Sequence, residues 1–148
     1  MPLQLWALAF GAGVVLIVQV GLNSTLRRSL GTPVAAALMS FLVGTLALVV
    51  FLWLSRASWP GRAQLAAPPL WAWCGGLLGA FYVVATIIVG PRLGAAAMLA
   101  LVVLGQLLTS LLVDHFGWLG FPQHTLTPLR LFGAALLFGG VLLVVQRA

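Results

Sequence analysis

The chain has 148 residues, of which 63% are hydrophobic and 5% charged, and its mean hydropathy is +1.19, which excludes a domain whose main solvent is water. The ionic inventory is seven arginines and one acid, Asp114, with no lysine and no glutamate, for a net charge of +6. The arginines are scattered at helix ends with no contiguous basic face, which argues against a nucleic-acid partner and suits the lipid interface.

The N-terminal apolar run predicts a first span over residues 3–22. It lacks a basic flank and a small-residue cleavage site, and reads as an uncleaved span rather than a leader. A polar break at 23–32 carries Arg27, Arg28 and Gly31, and Pro33 is suited to open the second span, 33–54. Residues 55–69, with Arg56, Arg62 and three prolines, form the longest polar loop. The third span covers 70–90 and the fourth 94–113, joined by the turn GPRLG at 90–94, whose brevity makes the two antiparallel neighbours. Residues 114–128 suit an interfacial loop, and the fifth span runs over 129–146. Spans of about 18 to 22 residues cross roughly 30 Å of hydrocarbon, and continuous apolar runs exclude a β-barrel. The expected fold class is all-α, a single transmembrane domain over 1–148 built as an integral membrane bundle of five transmembrane helices.

An odd number of spans sorts the connections onto two faces. Arg56, Arg62 and Arg130 fall on the face of the N-terminus, and Arg27, Arg28, Arg92 and Arg147 on the other, so positive charge sets almost no orientation. The slight excess puts the C-terminus in the cytoplasm. Trp6, Trp53, Trp59, Trp71, Trp73 and Trp118 all lie towards the N-terminal face. Aromatic anchors ordinarily occupy both interfaces, a condition that an antiparallel pair of copies meets, although chance placement in one short chain explains it as well.

Catalysis would need a nucleophile, an acid or base, or metal ligands gathered in a pocket. Only Asp114, His115 and His124 are candidates, and adjacent Asp and His side chains diverge, so neither an enzyme nor a metal site is expected. The lone Cys74 reads as a small buried hydrophobe, and no cofactor is expected. Asp114 sits some twenty residues past Gly94, about 30 Å along the helix and hence at the interface, where anchoring or pairing with Arg130 is favoured over ion coupling.

Polar side chains inside the spans are the stronger lead, because each is costly in lipid unless it faces a cavity or a partner helix. Gln19 and Asn23 are four apart on the first span, Tyr82 and Thr86 on the third, and Gln106 and Ser110 on the fourth, so each pair shares a helix face. Ser40, Gly44 and Thr45 cluster similarly on the second. Two readings compete: a polar lining for a solute pathway, favoured for the amides of Gln19, Asn23 and Gln106, and interhelical bonding, favoured for the hydroxyls. The candidate substrate-contacting set is Gln19, Asn23, Ser40, Tyr82, Gln106 and Ser110. Glycines at 11, 13, 75, 76, 79, 139 and 140, with Ala134, suit close helix packing, and the nearly apolar last span suits contact with a partner subunit.

The strings GVVLIVQVGLNSTLR at 13–27, SFLVGT at 40–45, WAWCGGLLGAFYV at 71–83, PRLGAA at 91–96 and GQLLTSLLVDHFG at 105–117 resemble the YdcZ-type family of bacterial inner-membrane proteins, in the drug/metabolite transporter superfamily. The resemblance covers nearly the whole chain and implies a multi-pass protein of the bacterial inner (cytoplasmic) membrane, a five-helix half-transporter paired with an inverted second copy. Residues 75–145 are also distantly similar to small multidrug resistance transporters, but the intramembrane glutamate of those proteins has no counterpart, which disfavours cation export by their mechanism. The resulting expectation is a small transporter of a polar, neutral or zwitterionic organic solute, working by alternating access in a dual-topology homodimer; a passive channel and a non-transporting membrane subunit are the alternatives.

Overall fold

The computed structural model describes residues 3–146, and every regular element in them is helical. In chain order these are α1 (Leu3–Leu30), α2 (Pro33–Leu54), the short α3 (Arg62–Ala66), a 3-10 turn at Leu70–Cys74 that leads into α4 (Gly75–Leu93), α5 (Ala95–Phe116), a second 3-10 turn at Trp118–Gly120, and α6 (Pro128–Val145). Five helices, α1, α2, α4 with its entry turn, α5 and α6, are long and apolar enough to cross a membrane. Their backbone groups bond largely within each helix, as hydrocarbon requires.

Three boundaries differ from the sequence expectation. The first helix does not stop at Leu22: it runs through NSTLRRSL to Leu30, giving 28 residues, or about 42 Å. No proline or glycine interrupts that stretch, and its hydroxyls bond locally, Thr25 Oγ1 donating to the Gly21 carbonyl at 3.1 Å and Arg28 Nη2 donating to Thr25 Oγ1 at 3.1 Å. Termination waits for Gly31, whose φ of +81° is the left-handed conformation of a helix C-cap. The turn expected at 90–94 is likewise mostly helix, since α4 continues through Pro91 to Leu93 and only Gly94, at φ +79°, leaves helical geometry. Finally, the loop at 55–69 contains α3, whose start is closed by the Gly61 N–H donating to Gln64 Oε1 at 2.8 Å.

The chain divides into two compact units, the first ending at Gly90 and the second beginning at Pro91. In the first, Ala36 and Ala37 of α2 pack against Val83 and Ile87 of α4, with Tyr82 and Val84 at the edge. Further along the same pair, Phe41 lies against Gly79, where an added Cβ would meet its ring at 3.7 Å. In the second unit α5 packs on α6, where Ala134 and Val141 are buried. At most 17% of any span is buried within the chain. The remaining apolar surface takes its cover from lipid or from another chain.

The junction of α1 and α2 is only two residues long, so its local bonds fix how the pair begins. Thr32 is the N-cap of α2, its Oγ1 accepting from the Ala35 N–H at 3.1 Å, and Pro33 occupies the first helical position. Thr32→Ala is expected to lower stability by about 1 kcal/mol and Thr32→Ser to preserve it, as read by thermal unfolding of the purified protein in an uncharged detergent.

Candidate functional site

The first unit brings the C-terminal part of α1 against α4 through one bond. Arg27 Nη1 donates to the backbone carbonyl of Ile87 at 3.1 Å. That carbonyl is free for a covalent reason. In an α-helix the oxygen of Ile87 would accept from the amide of residue 91, and residue 91 is proline, which has no N–H. The Arg27 guanidinium stands in for the missing donor, an accommodation that proline inside a membrane helix requires. Ile87 itself is fully buried.

Arg27 is the third member of a stripe with Gln19 and Asn23, each four residues on, so the three share one face of α1. Asn23 is 3% exposed and makes no side-chain hydrogen bond among the described residues, and Gln19 above it is half-buried. On α2, Ser40 is half-buried one turn beyond the Ala36 contact with α4; on α4, Tyr82 is half-buried beside Val83. Thr86, buried one turn from Tyr82, donates Oγ1 to its own helix at the Val83 carbonyl, 2.9 Å away. Its hydroxyl therefore bonds within α4 and not between helices.

The other two candidates, Gln106 and Ser110, belong to the second unit and are both exposed on α5. Gln106 lies midway along that helix and has no side-chain hydrogen bond among the described residues. Ser110 edges an open groove of about 440 Å³ between α5 and α6, lined also by Leu107, Asp114, Arg130, Gly133 and Ala134.

At the end of that groove Arg130 Nη1 reaches Asp114 Oδ2 at 3.4 Å and the His124 carbonyl at 3.4 Å, the interfacial pairing expected for Asp114. The loop between α5 and α6 folds back over the end of α5. The His124 N–H donates to the Asp114 carbonyl at 2.8 Å, Gln123 Nε2 to the His115 carbonyl at 2.9 Å, and the Leu126 N–H to His115 Nδ1 at 3.3 Å. Gly117 permits the reversal at φ +63°. These bonds engage Asp114 and His115 structurally, and among the described residues no group of three or more His, Cys, Asp or Glu could hold a metal. Cys74 is exposed rather than buried, because it lies in the entry turn to α4.

Sequence reasoning passed over Arg27. It was counted as an interfacial charge, although it continues the Gln19–Asn23 stripe and Pro91 advertises an unpaired carbonyl four residues earlier. Those two spacings were the available signals.

A family profile described as "Putative inner membrane exporter, YdcZ" matches residues 4–143. Inner membrane protein YdcZ of Escherichia coli (strain K12) is 32% identical to the chain over 142 residues, which cover 96% of this chain and 95% of the relative. No solved structure matches it.

The bond between α1 and α4 gives a specific mutational cycle. Arg27→Met removes the donor and leaves the Ile87 carbonyl orphaned, with an expected loss of about 1 to 3 kcal/mol. Pro91→Ala restores a backbone donor to the same oxygen. Adding Arg27→Met to Pro91→Ala is therefore expected to cost under about 1 kcal/mol, and the coupling between the two sites, read by thermal unfolding of the four variants in detergent, measures the substitution of side chain for amide.

Proposed function

The chain belongs to the YdcZ family of inner-membrane proteins, and from that premise we propose that it carries a polar organic solute, neutral or zwitterionic, by alternating access between two copies of opposite orientation. The observation that carries this reading is Gln106. It sits at the midpoint of α5, exposed and without a hydrogen bond among the described residues, where an amide facing hydrocarbon is unfavourable by several kcal/mol. Its polar atoms call for a partner from outside the chain, either a second copy or the solute. Asn23 and Gln19 add two more amides not bonded to neighbouring side chains, the condition for a lining rather than for glue.

Opposite orientation of the two copies draws support from charge and from aromatic placement. Arginines divide almost evenly between the two faces. All six tryptophans are exposed, and span counting assigns them to one face, so an inverted partner supplies the anchors of the other. Inverted repeats around a midplane site are a known basis for alternating access.

Two measurements test the proposal. Reconstituted into liposomes, the protein is expected to show saturable uptake and counterflow of at least one member of a panel of polar solutes, reduced tenfold or more by Gln106→Leu; linear uptake of every solute, or single-channel current steps, would overturn the carrier. For orientation, Ser58→Cys in a Cys74→Ser background is expected to react with an impermeant thiol reagent from both sides of the membrane in comparable amounts. Labelling from one side alone removes the inverted pair.

A further inference from the structure

The amides of Gln19, Asn23 and Gln106 and the phenol of Tyr82 carry no charge, which is what favours a neutral or zwitterionic solute, and Arg27 adds a cation to the Gln19–Asn23 face of α1. Of the arginines among the described residues, Arg28, Arg56, Arg62 and Arg92 are exposed and Arg130 is paired with Asp114; Arg27 alone is both partly buried and without a carboxylate partner. The unit that contains it has no acid at all, since Asp114 is the only one in the sequence.

What holds Arg27 in place orients it without neutralising it. A backbone carbonyl accepts one hydrogen from Nη1 and leaves the guanidinium its full charge and four further N–H donors, in a planar fork that matches carboxylate and phosphate oxygens. One helical turn away on the same face is Asn23, 3% exposed, with an amide that has no hydrogen-bond partner among the described residues. A fixed, uncompensated cation beside an amide whose polar atoms make no side-chain bond and are not closed off from solvent is an open site, and an anion that accepts hydrogen bonds from both completes it.

We propose that Arg27 and Asn23 form an oxyanion-binding site that takes a carboxylate or phosphate group, with the Ile87 carbonyl opened by Pro91 acting as the bracket that aims the guanidinium. The consequence for transport, that the solute is zwitterionic rather than neutral and turns its carboxylate or phosphate towards Arg27, rests on the carrier reading above; the binding can be read without any flux. Arg27 is five residues past Leu22, about 7.5 Å along the helix beyond the apolar run, so the anion can come from a dissolved solute or from a lipid headgroup.

The test uses the full chain in an uncharged maltoside detergent, titrated with sodium phosphate or sodium acetate against sodium chloride at constant ionic strength, with the unfolding temperature and tryptophan fluorescence as readouts. Because Arg27→Met alone can fail to fold, the informative comparison is made on the Pro91→Ala background, where Ile87 has its own backbone donor. A saturable response to at least one of the two oxyanions is expected for the wild type, for Pro91→Ala and for the control Arg28→Gln. Arg27→Met with Pro91→Ala should bind at least tenfold more weakly, and Asn23→Leu should weaken binding severalfold. No saturable response in the wild type, or equal responses with and without Arg27, overturns the site. Phosphatidylglycerol added to the micelles separates the sources: loss of the soluble-anion response assigns the site to a headgroup phosphate, and persistence assigns it to a dissolved anion. A protein that binds the anion through Arg27 yet transports nothing refutes the carrier and leaves the site standing.

Discussion

A buried carbonyl oxygen must find a donor within the protein, because neither lipid nor water reaches it. Pro91 breaks that requirement for Ile87, and Arg27 meets it from another helix. The loss avoided is that of an unsatisfied buried acceptor, about 1 to 3 kcal/mol in proteins, against about 1 kcal/mol for an ordinary hydrogen bond. Much of the first unit follows from this. α1 must present the Asn23–Arg27 face to α4, the two-residue link at Gly31 and Thr32 then starts α2 beside them, and Ala36 and Ala37 close on Val83 and Ile87. The extension of α1 past its apolar run is what carries Arg27 far enough to reach.

Charge is distributed with similar economy. The one acid sits at the far end of α5, its side chain 28% exposed, against Arg130. At that exposure the pair adds little stability by itself, and its role is to hold the loop after α5 in register with the carbonyls that it covers. No acid accompanies Arg27. A cation positioned by a neutral dipole keeps its field available, whereas one positioned by a carboxylate does not.

The five spans were legible because length and uninterrupted apolarity determine them, and the pairing of Asp114 with Arg130 was legible because both fall at the ends of adjacent spans. The run from Asn23 to Leu30 was misread as a break because its polarity was taken for a signal of loop; polarity places a segment outside hydrocarbon, but only the left-handed Gly31 ends the helix. At GPRLG the proline reads as a turn residue; its position inside α4 opens the carbonyl four residues earlier, but which donor meets that carbonyl depends on the helix alongside, which no local pattern contains. The outward position of Gln106 was hidden for a related reason. A span apolar on all sides gives its polar residues no periodic background against which to read a face, so the sequence paired Gln106 with Ser110 without saying that Gln106 is exposed at mid-helix while Ser110 edges the groove against α6.

The loop between α5 and α6 completes the carbonyls at its own tip with Gln123 and His124, and balances its acid with the arginine of the following turn. The connected end of the α5–α6 hairpin is for that reason self-sufficient in polar terms before any other helix arrives, and only Gln106 at mid-helix still needs a partner from outside. It can partition from the translocation machinery into the bilayer as one preassembled piece, while α4 depends on α1, synthesised some sixty residues earlier, to become fit for oil.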